Sequence, residues 1–505
     1  MQLSKDALGQ IAVQPGLIIP DQKLFELPEK VLQFGTGVLL RGLPDYFIDK
    51  ANRQGIFNGR VVVVKSTDSD SSAFDKQDGL YTICVRGIEN GKTVQENIIN
   101  ASISRVLGAK TEWKRILECA HNPEMKIILS NTTEVGIQLV QDDITSDPPV
   151  SFPGKLLAFL YERFKAFNGS KASGMVIVPT ELITDNGTKL ESIVLELAHR
   201  NNLDFKFIEW LENSNTFCNS LVDRIVPGKP NAAESKKLED ELGYQDDLLT
   251  MSEVFRLWAI EGDEKVKETL SFCKVDEGVV IAPDITLFKE LKLRLLNGTH
   301  SYNCGVAFLS GFNITREAVT DKTFSVFAKN LMHTEIAKAI PFEIDANTKE
   351  EFANNTFERF CNPFIDHQWL SITVQYTSKM KMRNMPLLQR HYELNNTPPM
   401  HMATGFAGFL LYMKATRKEG NKYFGERNGV EYEIKDDSAE YFYTAWANDN
   451  PAKLVEEVMQ NEELWDADLT KLPGFLQAVQ EQVQDMITNG VLETISQLEA
   501  KQVTA

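Results

Sequence analysis

The chain has 505 residues, 43% hydrophobic and 25% charged, which suits a globular protein too long for one core and points to two or three domains. A formal net charge of −18 argues against nucleic acid or an anionic membrane as the main partner, and no apolar run approaches bilayer-spanning length. The six cysteines include no Cys-x-x-Cys pair, and the first residues lack the basic-then-apolar plan of a secretory leader; both fit a cytoplasmic protein with reduced thiols.

The first strong signal along the chain is Val31-Leu-Gln-Phe34-Gly35-Thr36-Gly37-Val-Leu-Leu40-Arg41-Gly42. A short apolar strand enters a Gly-x-Gly turn and a helical pattern follows, the arrangement that lets a backbone approach a pyrophosphate at a helix N-terminus. Leu40 stands where the usual fingerprint has a third Gly or Ala, and alone the motif is weak. Gly59-Arg-Val61-Val-Val-Val64-Lys65 then reads as a buried second strand. Its end carries Lys65, with Asp68 three residues on as the ribose candidate, so these residues leave NAD against NADP open.

A hairpin is predicted from Asp78 to Val94, turning at Glu89-Asn90-Gly91-Lys92. Two more buried strands, Met125–Leu129 and Met175–Val178, open into Ser130-Asn131-Thr132-Thr133-Glu134 and Pro179-Thr180-Glu181. Ligands of a doubly wound sheet bind at the carboxyl ends of its strands, which makes Asn131 and Thr133 candidates for the nicotinamide side. An N-cap cluster opening the next helix is the equal alternative. Further on, Asp223-Arg224 lies in an apolar context, where a structural ion pair is the plainer reading. Tyr161 and Lys165 satisfy the Tyr-x3-Lys pair of short-chain dehydrogenases, but with only two fixed positions they read as the surface of a helix.

From about Leu287 the pattern turns helical, with periodic apolar stretches at 324–340, 349–360, 402–415, 438–446, 452–459 and 473–498 and one strand-like insert at Val430–Ile434. The second half opens with Lys292-Leu-Arg-Leu-Leu-Asn297-Gly-Thr-His300 inside one helical run to Phe312. On an α-helix, Asn297 lies about 140° round from Lys292 and His300 falls between them at about 80°. One side of one helix therefore aims an amine, an amide and an imidazole into the same space. A lysine among leucines is costly unless it snorkels, has partners or has a chemical task. The fold class expected is an N-terminal α/β Rossmann-type doubly wound sheet, residues 1–286, followed by a mostly α-helical domain, residues 287–505, with the Lys292 helix at the cleft between them. None of the seven histidines forms a zinc-binding spacing, so a metal-dependent alcohol dehydrogenase is disfavoured.

These pieces carry a resemblance. Gln33-Phe-Gly-Thr-Gly37 with Arg41, Gln77-Asp-Gly-Leu-Tyr-Thr82, Ala120-His-Asn-Pro-Glu-Met125 and Ser220-Leu-Val-Asp-Arg-Ile-Val226 belong to it. So do the Lys-x4-Asn-x2-His at 292–300, Arg359-Phe-Cys-Asn-Pro363 and Gly425-Glu-Arg-Asn-Gly429. Over essentially its whole length the chain resembles the polyol-specific long-chain dehydrogenases, the mannitol dehydrogenase family. The resemblance implies metal-independent hydride transfer with NAD, Lys292 as general acid and base, Asn297 and His300 on the reacting oxygens, Glu181 orienting the lysine or carrying protons, and Asp223 behind them. It implies a cofactor site at Phe34, Gly35, Thr36, Gly37, Arg41, Asp68, Asn131 and Thr133. Polyol-type members carry Asn where this chain has Glu181 and Arg where it has Ser371, which directs the reading to a sugar acid, tagaturonate reduced to altronate, in galacturonate catabolism. Lys379 and Arg383 then become candidates for the substrate carboxylate, a solvated basic face shared with Lys381 being the alternative. The sibling readings are fructuronate reduction and the mannitol or arabinitol 2-dehydrogenases; outside catalysis stands an NAD-binding sensor.

Overall fold

The computed structural model describes residues 1–67, 71–133, 135–447 and 450–503. The chain divides into two units, Met1–Gly87 with Thr93–Ile285, and Ile88–Lys92 with Thr286–Ala505. None of its described helices is long and apolar enough to cross a membrane.

The first unit carries β1 (Leu17–Ile18), β2 (Glu29–Phe34), α1 (Val38–Gly42), α2 (Pro44–Arg53), β3 (Arg60–Lys65), β4 (Tyr81–Glu89), β5 (Lys92–Asn100), β6 (Ile103–Gly108), β7 (Ile127–Ser130), α3 (Phe152–Ala166) and β8 (Val176–Pro179). Five short strands follow: β9 (Thr216–Phe217), β10 (Ser220–Asp223), β11 (Thr250–Glu253), β12 (Leu257–Glu261) and β13 (Val279–Ala282). A six-stranded sheet runs β6-β3-β2-β7-β8-β9 with every pairing parallel. Counted by entry into that sheet the order is 3-2-1-4-5-6, that of the doubly wound dinucleotide fold, whose switch point lies between β2 and β7. Both faces are covered, as an all-parallel sheet demands. The pleat sends Leu32, Phe34, Val62, Val64 and Ile128 into one core and Val31, Val61, Val63, Ile127 and Leu129 into the other. The β4–β5 hairpin belongs to a second sheet, β1-β5-β4-β11, and β10, β12 and β13 form a third.

The second unit is largely helical. α4 (Thr286–Leu291) and α5 (Thr299–Leu309) are joined without a break by a π-helical turn, Lys292–Gly298. Further π turns cover Leu331–Ile336 and Met380–Asn384, the latter directly after the short α7 (Tyr376–Lys379), which follows α6 (Ala346–Phe360) in the chain. α5 packs backbone to backbone on α8 (Met400–Tyr412): a Cβ on Gly305 would stand 2.8 Å from the Gly408 carbonyl oxygen. The predicted insert is a three-stranded antiparallel sheet, β14 (Arg417–Glu419), β15 (Lys422–Arg427) and β16 (Val430–Ile434). The apolar run expected as one element near the C-terminus is two helices, α9 (Phe475–Asn489) and α10 (Val491–Val503), separated at Gly490. The tip of the β4–β5 hairpin groups with this unit: the Glu358 carboxylate of α6 accepts the backbone N–H groups of Asn90 and Gly91 at 3.0 and 2.7 Å.

Candidate active site

In the first unit the predicted residues collect at the carboxyl ends of β2, β7, β8 and β10. Gly35 ends β2 with φ at +128°, and a Cβ there would lie 3.0 Å from both the Asn131 carbonyl oxygen and Leu40 Cδ1. The large Leu40 is therefore accommodated because Gly35 has no side chain. The close approach usually given to a third glycine falls to Gly42, where a Cβ would stand 2.8 Å from Val226. A Cβ on Gly37 would meet nothing within 4 Å, so the turn presents open backbone there. The helix after the turn is only Val38–Gly42, because Leu43 precedes Pro44 and leaves the helical region before α2 begins.

Under the turn lies a buried polar network. Gln33 Nε2 donates to the Gly35 carbonyl at 3.4 Å and to Asp45 at 3.3 Å, and the Tyr81 hydroxyl donates to the Arg41 carbonyl at 3.1 Å. Burial pushes the Asp45 carboxyl up to about 7. Arg41 points inward: Nη1 donates to the Leu248 carbonyl, and the guanidinium lies 5.3 Å from the Tyr81 ring centre. Phe34 is likewise a core side chain against Phe152, with only its backbone at the turn.

The Asn131 amide donates to Thr180, at 3.1 Å to the carbonyl and 3.0 Å to Oγ1, while Thr133 is exposed. The alternative of an N-cap cluster is corrected, since the chain forms no helix among the described residues from 131 to 151. Glu181 is 3% exposed and accepts from Ser130 Oγ at 3.1 Å, Thr132 N at 2.9 Å and Thr132 Oγ1 at 3.0 Å. Burial raises its pKa, the hydrogen bonds opposing. Asp223 is buried at the end of β10; Arg224 donates to the carbonyls of Glu253 and Gly42 at 2.9 and 2.6 Å. Asp68 lies outside the described residues. Lys165 is exposed on α3 and paired to Glu162, while Tyr161, expected on the same surface, is half-buried with its ring edge-on to Phe207 at 5.0 Å.

In the second unit Lys292 and Asn297 fall at the two ends of one π turn, and His300 one step into α5. A turn that closes i to i+5 advances each residue by less than the α-helical 100°, so the amine and the amide stand closer in angle than α geometry allows; the α-helical spacing is corrected accordingly. Lys292 and Asn297 are half-buried, and His300 is 8% exposed. Arg383, from the third π turn, donates through Nη1 to Ser301 Oγ at 3.1 Å and to the Asn297 carbonyl at 3.4 Å, while Asn384 donates to the Gly298 carbonyl at 3.2 Å. The Tyr376 hydroxyl enters the α5 ladder, donating to Ser301 O at 2.7 Å and accepting from Gly305 N at 3.0 Å. Lys379 Nζ donates to the Ile372 carbonyl at 2.8 Å, and burial followed by the neighbouring Arg383 lowers its pKa. Lys381 is turned away to Asp466 at 2.8 Å, so it does not share a face with Lys379 as a solvated basic stripe would require.

The His300 ring stacks on Phe360 at 4.3 Å, its Nε2 is buried without a hydrogen-bond partner, and its pKa is pushed well below the usual value. Burial is the largest cause, followed by His367, Arg383, Arg359 and Lys379. Ser371 is exposed, its hydroxyl donating to the Gln368 carbonyl at 2.7 Å.

Residues 29–274 match the mannitol dehydrogenase Rossmann domain and residues 284–487 the mannitol dehydrogenase C-terminal domain. The chain belongs to the mannitol dehydrogenase family. It is 36% identical over 483 residues to an altronate oxidoreductase of Shigella flexneri, covering 94% of this chain and 97% of that one. It is 35% identical over 487 residues to an altronate oxidoreductase of Halalkalibacterium halodurans, covering 94% of each. Among solved structures it is similar to Pseudomonas fluorescens mannitol 2-dehydrogenase in ternary complex with NAD and D-mannitol, at 23% identity, a TM-score of 0.68 and coverage of 99% of this chain and 100% of that one. A D-sorbitol dehydrogenase in substrate-free form superposes at TM-score 0.80 with 21% identity, covering 98% and 100%. The chain is thus an oxidoreductase of this family acting on CH–OH groups.

Within this mannitol dehydrogenase family member, sequence reasoning missed Arg359 and His367 as neighbours of the candidate site. Arg359 was read only as part of a family motif and His367 only as one histidine of seven. No sequence signal marks either one, since the contact of Phe360, next to Arg359, with His300 exists only in the fold.

Proposed function

We propose that the chain carries out the reversible NAD-dependent reduction of D-tagaturonate to D-altronate in hexuronate catabolism. One observation carries this beyond the family: the cation Arg383 donates to Ser301 Oγ at 3.1 Å, next to buried His300, and Arg359 and Lys379 add positive charge at that ring. An anionic substrate is the charge such a face would bind, and the names of the altronate oxidoreductase relatives agree.

The turn at Gly35-Thr36-Gly37 fits a dinucleotide, since its strained glycine and open backbone allow close approach of a pyrophosphate. When bound, NAD supplies the hydride. Lys292 gives a proton to the ketone oxygen as charge develops there and takes it back in the reverse direction. A lysine at its ordinary pKa of about 10.4 is a poor base near neutrality, so this role needs surroundings that disfavour the ammonium. The Asn297 amide donates to the same oxygen. His300, kept neutral by burial, retains one ring N–H and one ring acceptor to orient a neighbouring hydroxyl. Glu181 provides a proton path, with Asp223 behind it as a relay. Lys379 and Arg383 hold the carboxylate.

The test is a panel of keto-uronates and neutral ketoses with NADH and NADPH, followed by nicotinamide absorbance. Tagaturonate with NADH should give the highest kcat/KM. Preference for fructose or another neutral ketose contradicts the reading, and NADH bound but unconsumed across the panel makes the chain a sensor.

A further inference from the structure

The second unit holds another imidazole against the candidate site. The His367 ring meets that of His300 edge-on, with centroids 5.3 Å apart and planes at 86°. The backbone around it is clamped: Thr315 donates to the His367 carbonyl through N at 2.8 Å and Oγ1 at 3.2 Å, and Trp369 N donates to the Asn313 carbonyl at 3.0 Å. Asp366, the carboxylate next to it in the chain, is paired with Arg316 at 2.8 Å. Among the described residues no hydrogen bond engages either ring nitrogen of His367. Burial first, then Arg359 and Lys379, push it towards the neutral form. The ring therefore offers an uncommitted N–H on a fixed backbone, against the unpartnered His300 and with the positive charges of Lys379 and Arg359 acting on it. A rigid donor in an electropositive setting suits a carboxylate, and a hydroxymethyl group in the same place would gain little from the surrounding charge.

We infer that His367 is a specificity-determining residue that donates a hydrogen bond to the substrate's carboxylate and so selects keto-uronates over neutral ketoses. The inference rests on the sugar-acid reading above. It differs in assigning the discrimination to a ring from the loop after α6 as well as to the basic residues around Arg383.

The experiment measures wild type, His367→Leu and His367→Gln with NADH against tagaturonate and its neutral analogue tagatose. His367→Leu should raise KM for tagaturonate by about 10- to 100-fold, the loss of one charge-assisted hydrogen bond, with kcat and the tagatose parameters nearly unchanged. His367→Gln, which restores a side-chain N–H, should recover part of the loss. Equal KM increases for both substrates, or none for either, overturn the role of His367 while leaving the sugar-acid reading in place. A wild type that turns over tagatose and no keto-uronate overturns both. Unfolding temperature and NADH affinity, read on each variant, identify a misfolded protein, and His367→Gln then decides the question.

Discussion

Substituting the two glycines of the β2 turn separates strain from ligand approach. At Gly35 the backbone holds φ of +128°, and an alanine methyl would lie 3.0 Å from the Asn131 carbonyl oxygen and from Leu40 Cδ1. Backbone strain of about 1–3 kcal/mol and overpacking of similar size put the loss of stability for Gly35→Ala at roughly 2–6 kcal/mol. At Gly37 the backbone is extended, φ −60° and ψ 154°, and a methyl would meet nothing. Gly37→Ala should therefore leave the unliganded protein within about 0.5 kcal/mol of wild type. If the pyrophosphate rests on this turn, the same methyl enters its space and weakens NADH by about 10-fold or more, about 1.4 kcal/mol. Calorimetry without ligand and fluorescence titration with NADH read the two effects. Wild-type NADH affinity in Gly37→Ala would refute the placement of the pyrophosphate, and wild-type stability in Gly35→Ala would refute the strain.

Three further outcomes follow from the geometry. Lys379→Ala should raise KM for a keto-uronate by about 10-fold or more and barely change it for a neutral ketose; equal effects remove Lys379 from carboxylate binding. Glu181→Gln can keep both bonds from Thr132 on its amide oxygen and donate its own N–H to Ser130 Oγ in place of the third, so its unfolding temperature should hold while kcat falls by about 10-fold or more; an unchanged kcat takes the carboxylate out of the proton path. His401, whose ring nitrogens lie 2.8 Å from Glu335 and 3.0 Å from Glu499 on α10, would be lowered by burial alone, but these bonds lift its pKa to about 9. A histidine pKa raised in the folded state gives stability that is full below its ordinary value near 6.5 and lost as pH rises through 9, here at most about 3 kcal/mol. The unfolding temperature should fall between pH 7 and 10 in the wild type and fall less in His401→Gln; matching slopes refute the clamp.

The parallel sheet was legible because its strands are short continuous apolar runs ending in polar residues, as at Val61–Lys65 and Ile127–Ser130. Such runs report burial on both faces. The spacing of Lys292, Asn297 and His300 was legible as a convergence, but the π turn beneath it was not. An i to i+5 closure is set by packing, here Arg383 on the Asn297 carbonyl and Asn384 on the Gly298 carbonyl, each 86 residues away in sequence. Arg41 carried a motif match yet points into the unit, because the space between Tyr81 on β4 and the turn at Leu248 is created by segments far along the chain. Arg359 and His367 escaped for the same reason: only folding places the last turn of α6 and the loop after it beside His300. The break between α9 and α10 was the more avoidable miss, since Gly490 interrupts the apolar run where a left-handed φ of +89° is needed.

The central claim is that the Lys292 amine exchanges the proton of the reaction. A single-turnover measurement on Lys292→Ala, loaded with NADH and mixed with tagaturonate, addresses it directly. Hydride transfer should be slowed by about 100-fold or more at near-normal NADH affinity. Hydride transfer at the wild-type rate would contradict it.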